Sequence, residues 1–176
     1  MRHNVRFCIN MNNEKNNSYV KNQITQALIK LMKNNAFDEI KITSIVKEAQ
    51  VGRASFYRNF SNKEDVLKQY LIRLIQEWGA EFEQSNNPNL LVESLFGHYS
   101  KYSEFYNLLY SSNLFHLVLD NIKSVCGPKP EQDSLQAYTS AWFAYGLFGW
   151  INEWIARGMK ESPKEMSELG KNQLQK

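Results

Sequence analysis

Residues 42–67 read ITSIVKEAQVGRASFYRNFSNKEDVL, and their spacing decides the fold. Ile42, Ile45, Val46 and Ala49 share one face of a helix about two turns long that starts near Thr43. Val51 and Gly52 interrupt it. Phe56 and Phe60 then recur four apart and pack inward with Val51, which leaves Arg53, Ala54, Ser55, Tyr57 and Arg58 on the outer side. Such a pair of short helices is a helix-turn-helix: the second helix anchors by its apolar face and offers a small, polar, cationic face to a major groove. Ala54 and Ser55 permit close approach to base edges, while Arg53 and Arg58 supply donors for phosphate or guanine. Ser61 followed by Glu64 has the spacing of a capping box opening a third helix. Lys63 in that first turn opposes the helix dipole by roughly a few tenths of a kcal/mol, so it either meets an anion such as phosphate or is a solvated surface lysine.

Outward from this stretch, the residues on the N-terminal side predict a helix over 18–34 whose stripe of Val20, Ile24, Ala27, Leu28 and Leu31 cradles the two short helices. Phe37 and Ile40 lead from it into Thr43. On the other side, the helix opened at Ser61 continues through Leu67, Leu71, Leu74, Ile75 and Trp78, long enough to join the front module to the rest of the chain. Residues 1–70 hold 12 Lys plus Arg against 6 Asp plus Glu, whereas 71–176 hold 9 against 12. A basic front end on an acidic body is the footprint of a nucleic-acid reader attached to something that leaves nucleic acid alone.

After a loop at 85–89 that contains Pro88, the pattern stays helical over about 89–100, 102–110, 112–126, 132–158 and 163–174, with no strand alternation and no repeat. The expectation is an all-α protein of about nine helices. Residues 141–151, AWFAYGLFGWI, carry no polar side-chain group but one tyrosine hydroxyl. Such a run must be covered on every side, yet it is shorter than the roughly 20 residues that cross a bilayer. One face therefore packs into the body and another against a second subunit, with Gly146 and Gly149 allowing close approach. Ser162, Pro163 and Glu165 read as N-cap, N1 proline and N3 acid of a last helix.

With Thr43, Ala49, Gln50, Val51, Gly52, Ala54, Ser55, Phe56, Tyr57, Phe60, Lys63, Glu64 and Leu67 in place, residues 18–67 resemble the DNA-binding domain of TetR-like transcriptional regulators. Gln50 stands where that family usually has Gly, and Gly52 where it usually has a capping Ser or Thr. The resemblance implies DNA contacts by Thr43, Arg53, Ala54, Ser55, Tyr57, Arg58 and Lys63, and a homodimer on a palindromic double-stranded operator, most often a repressor released by a small-molecule effector. The block from Gly146 through Trp154 and Gly158 to Met166 is similar to the end of a Gram-positive subgroup of the dihydroxyacetone-kinase-regulator type. In the family the last two helices form the dimer face, here implying Phe148, Ile151, Trp154, Ile155, Met166 and Leu169. A relative in that subgroup works through a partner protein, so the alternative function is a partner-dependent coactivator of the same fold. Tyr102, Phe105, Tyr106, Phe115, Trp142 and Tyr145 are the candidate effector pocket, against the plainer reading that they fill a core.

Other chemistries find little purchase. The chain has no Gly-rich phosphate loop, nucleophile elbow or His-Glu-x-x-His, so no enzyme activity and no cofactor is expected. His98, His116 and Cys126 are 18 and 10 residues apart, which matches no metal-ligand motif. Cys8 and Cys126 have no disulfide spacing and fit a reducing bacterial cytoplasm, with the protein on the nucleoid when bound to DNA. Residues 1–10 lack a signal peptide's apolar run, no membrane partner is expected, and Met11 is a second possible start. The expected division is a flexible arm over 1–17, lying along DNA or simply disordered, a helix-turn-helix domain over 18–65, and a ligand-binding and dimerisation body over 66–176.

Overall fold

The computed structural model describes the backbone of residues 2–174 and the side chains of 17–171. The arm expected over 1–17 falls almost wholly outside those side chains. Among the described residues there are nine α-helices and no strand: α1 (Arg2–Met32), α2 (Ile42–Glu48), α3 (Arg53–Asn59), α4 (Lys63–Ser85), α5 (Leu91–Lys101), α6 (Ser103–Ser111), α7 (His116–Cys126), α8 (Ser134–Ala156) and α9 (Pro163–Leu174). Short 3-10 turns at Phe37–Glu39 and Pro88–Leu90 precede α2 and α5. The chain divides into two compact units at Tyr70 and Leu71, inside α4.

In the first unit Ile24, Ala27 and Leu28 of α1 are buried with Ile45, Val46 and Ala49 of α2, Phe56 and Phe60, and Val66 and Leu67 of α4. This is the apolar set the spacing predicts, with Phe37 and Ile40 added from the connecting turn. The capping box is shifted by one residue. Asn62 Oδ1 accepts from the Asp65 backbone N–H at 2.8 Å, and the Asp65 carboxylate accepts from the Ser61 N–H at 2.8 Å, so α4 starts at Lys63 with Asp65, not Glu64, reaching back.

In the second unit α9 packs on α5 and α7 on α8. Phe96 sits fully buried with its ring centroid 5.9 Å from that of Trp150 and 5.0 Å from that of Trp154. Gly170 of α9 makes room for Trp150, because a Cβ there would come within 2.9 Å of the indole. The Ser162 and Glu165 capping box forms as expected, the carboxylate accepting from the Ser162 N–H at 2.7 Å and the Ser162 hydroxyl accepting from the Glu165 N–H at 3.3 Å. The backbone N–H and the hydroxyl of Ser162, both donating to the carboxylate, lower the Glu165 pKa. α7 starts at His116, four residues later than expected, since Asn113 at φ 58° turns left-handed and lets the Leu114 N–H close back on the Leu109 carbonyl.

Candidate nucleic-acid interface

Helix α3 is only seven residues long, and its orientation rests on its two phenylalanines. Phe56 and Phe60 are buried with ring centroids 5.8 Å apart, while Arg53, Ala54, Tyr57 and Arg58 are exposed on the opposite side and Ser55 is half-buried. The outer face pairs with itself. The Arg53 guanidinium lies 5.9 Å from the centre of the Tyr57 ring, and Arg58 donates to the Ser55 hydroxyl at 2.9 Å and to the Ala54 carbonyl at 3.4 Å. Thr43 is exposed in the first turn of α2. Six of the seven expected DNA contacts are therefore gathered on α3 or the start of α2, with exposed or half-exposed polar groups.

The turn between α2 and α3 shows where the two departures in sequence act. Gln50 adopts φ 55°, the left-handed region that favours glycine, and the Val51 N–H closes onto the Val46 carbonyl at 3.0 Å. Gly52 is the N-cap of α3 with an extended backbone and no side chain to cap it.

Lys63 is the seventh expected contact, and its ammonium has partners within the chain. Its ammonium donates to the carbonyls of Phe37 at 2.5 Å, Asp38 at 3.0 Å and Ile40 at 3.1 Å, and lies 4.6 Å from the centre of the Phe37 ring. An ammonium has three donors, and all three are spent on the turn that delivers the chain into α2. A cluster of carbonyls from the 3-10 turn and the residue after it receives the charge.

A second brace was not anticipated from sequence. Asn59 donates to the Ser55 carbonyl at 2.8 Å, Gln69 of α4 donates to the Asn59 carbonyl at 3.0 Å, and Lys21 of α1 donates to Gln69 at 3.0 Å. This chain fastens the C-terminal end of α3 to both long helices. Its only sequence signal is polar side chains on the apolar-facing side of amphipathic helices.

The body redistributes the other expected sites. Ile151, Trp154, Ile155 and Met166, expected at a dimer face, are buried inside their own unit, and Phe148 packs on Phe115 at 5.6 Å; of that set Leu169 alone is exposed. The Trp154 indole N–H is satisfied by the Glu161 carbonyl at 3.1 Å. The open face of α8 instead carries Leu135 (77 % exposed), Tyr138 (75 %) and Trp142 (73 %), then Tyr145, Gly146 and Gly149. Among the expected pocket residues, Phe105, Tyr106 and Phe115 fill the core, and Trp142 and Tyr145 point to solvent. Tyr102 borders a cleft of about 170 Å³ between α4 and α5.

His98 sits in that cleft, buried, with Nε2 2.8 Å from the Tyr106 hydroxyl. Burial, helped by the charge of Lys101, pushes its pKa down to about 4, so the imidazole is neutral at physiological pH. Burial also raises the pKa of the Tyr99 hydroxyl and of the Cys126 thiol. Among the described residues no three His, Cys, Asp or Glu side chains gather where they would hold a metal ion, and no helix is long and apolar enough to cross a membrane.

Comparison with known proteins agrees with this geometry. Residues 24–70 match the family described as bacterial regulatory proteins, tetR family, and residues 86–176 match the family described as transcriptional regulator C-terminal region. No curated protein matches the chain. Among solved structures, the dihydroxyacetone kinase operon activator DhaS is similar over 88 % of this chain and 93 % of its own, with a TM-score of 0.55 and 20 % identity, a likeness of fold.

Proposed function

The chain belongs to the TetR family of DNA-binding transcriptional regulators, and we propose that it acts as a homodimeric repressor that binds a palindromic operator and is released by a small-molecule effector held in the body. The observation that carries the DNA half is α3: an apolar side locked by Phe56 and Phe60, and an outer side of Arg53, Ala54, Ser55, Tyr57 and Arg58. On this reading Arg58 exchanges Ser55 for DNA, Arg53 leaves the Tyr57 ring for phosphate or guanine, and Ala54 and Thr43 face the groove and its backbone. Lys63 acts through the turn it holds.

The dimer half draws on α8. Leu135, Tyr138, Trp142, Tyr145 and Gly149 follow one another by three and four residues, the spacing of a helix-helix seam, and the first four are large apolar side chains facing water. A second copy of the same stripe covers it, with Gly146 and Gly149 at the closest approach and Leu169 at the rim. One recognition helix reads few base pairs, so a two-fold pair on half-sites about one helical turn apart supplies the specificity. A regulator that reads chromosomal DNA works in the bacterial cytoplasm, on the nucleoid when bound.

DhaS is by its name an activator, which makes a partner-dependent coactivator the second reading. Selection of duplexes from a random library by the purified protein separates the two. A repressor acting alone enriches a palindrome and shifts it at nanomolar concentration. Enrichment only after a partner protein is supplied, or of a single half-site by a monomer, overturns the first reading.

A further inference from the structure

The cleft between α4 and α5 has a composition that chooses among ligands. Glu77 and Glu81 stand one turn apart on α4, Trp78 lies between them, and Tyr102, Lys101 and His98 close it from the α5 side. Lys101 is the informative residue. Its ammonium lies 3.7 Å from the Glu81 carboxylate and 5.4 Å from the centre of the Tyr102 ring, so the cleft already holds an alkylammonium, tethered, between a carboxylate and an aromatic face. Glu77 contributes a second carboxylate, with Arg73 of its own helix 3.7 Å away. At the floor, His98 is spent at Nε2 on Tyr106 and has no hydrogen bond at Nδ1 among the described residues. Its neutrality means that nothing at the floor repels a cation.

We infer that this cleft binds a small organic ammonium ion, which takes the place of the Lys101 ammonium between Glu81 and Tyr102 and lies against Trp78. The size is right for a compact ligand, since a dry cavity of about 150 Å³ accommodates one benzene-sized molecule. Cations on aromatic faces gain from the ring quadrupole, and a carboxylate beside the ring adds to the attraction. An anion would meet the carboxylates of Glu77 and Glu81, and the cations beside them, Arg73 and Lys101, are already paired. The inference deepens the effector half of the proposed function and rests on it only for what binding does at DNA.

The test uses the full chain and three probes of similar shape: choline chloride, its neutral carbon analogue 3,3-dimethylbutan-1-ol, and sodium pivalate, titrated by calorimetry at constant ionic strength. Choline should bind about tenfold or more tightly than the neutral analogue, and pivalate not at all. Gly97 borders the cleft and a Cβ there meets nothing within 4 Å, so Gly97→Leu fills the space from a tolerated position and should abolish choline binding without lowering the melting temperature. Lys101→Gln removes the tethered competitor and should tighten choline several-fold. Equal binding of choline and the alcohol, preferential binding of pivalate, choline binding untouched by Gly97→Leu, or no choline binding by either wild type or Lys101→Gln overturns the inference. Operator affinity is measured separately: a protein that ignores choline yet binds its palindrome leaves the DNA reading standing, and one that binds choline without loosening from DNA keeps the site and refutes the effector role.

Discussion

Replacing Lys63 separates two jobs that look alike in a binding assay. Lys63→Met keeps most of the apolar stem but removes the ammonium from the Phe37 ring and from the carbonyls of Phe37, Asp38 and Ile40. The three bonds share one half-buried cation, so they are not summed. The low end for a hydrogen bond to a charged group is about 1.5 kcal/mol, and a partly exposed cation–π contact adds about 0.5 kcal/mol. A loss of about 2 kcal/mol should lower the melting temperature of a chain this size by about 4–8 °C. A lysine that touched phosphate would instead leave stability alone and subtract about 0.9 per protomer from the slope of log affinity against log salt. The assay is therefore a pair: differential scanning calorimetry, and fluorescence anisotropy on a selected operator duplex over a series of salt concentrations. The expected result is a destabilised Lys63→Met with an unchanged salt slope, and operator affinity restored in part by cooling. A normal melting temperature with a slope reduced by about 0.9 per protomer would refute the argument and return Lys63 to the DNA.

Arg58→Ala should do the reverse, reducing the salt slope by about 0.9 per protomer with little change in melting temperature, because Arg58 is exposed and bonds only to its own helix; an unchanged slope removes it from the contact set. Gln50→Gly relieves the φ of 55° and should stabilise by about 1 kcal/mol, and Gly52→Ser, by capping α3, should add a few tenths, roughly; a double variant that melts no higher than wild type contradicts the strain argument. His98 has a native pKa of about 4 against an ordinary 6.5, so the unfolded chain binds its proton first as pH falls. Its contribution is flat above pH 6.5, and stability declines from there to pH 4 by up to roughly 3 kcal/mol. In His98→Gln, urea unfolding at several pH values should show that decline reduced; an equal decline would place its origin elsewhere. Trp142→Glu puts a charge into the exposed stripe of α8 and should yield monomers by sedimentation, with operator affinity down about 100-fold or more as the two recognition helices lose their linkage; a dimer that survives it does not use this face.

Which parts of this molecule could be read from its sequence follows from how local their causes are. The helix-turn-helix was legible because its division of faces depends on residues within a few positions of one another: Ile45, Val46 and Ala49 on α2, Phe56 and Phe60 on α3. The capping of α9 was legible for the same reason. The cap of α4 slipped by one residue because Ser61, Asn62, Glu64 and Asp65 offer two boxes in adjacent registers, and only the three-dimensional path selects Asn62 with Asp65. The partners of Lys63 were not legible because a lysine stem is long enough to reach carbonyls 23 to 26 residues away in sequence, and no pattern records where a flexible side chain swings.

The face of α8 failed for a different reason, and that reason bears on function. Amphipathic periodicity locates a buried face by contrast with a polar one; a helix that is apolar around its circumference has no such contrast, so sequence identifies the element but not its rotation. The expected face, centred on Ile151, Trp154 and Ile155, belongs to the unit's own core, and the stripe begun by Leu135, Tyr138 and Trp142 lies on the other side. The missing contrast is itself the message. Evolution keeps polar side chains on any helical surface that stays wet, because solvated apolar aromatics promote unspecific association, and this surface lacks them over most of its length. The α8 composition thus needs two coverings, one supplied within the chain and one from outside it. On the proposed reading of a palindromic operator, a second copy is the simplest source of the latter.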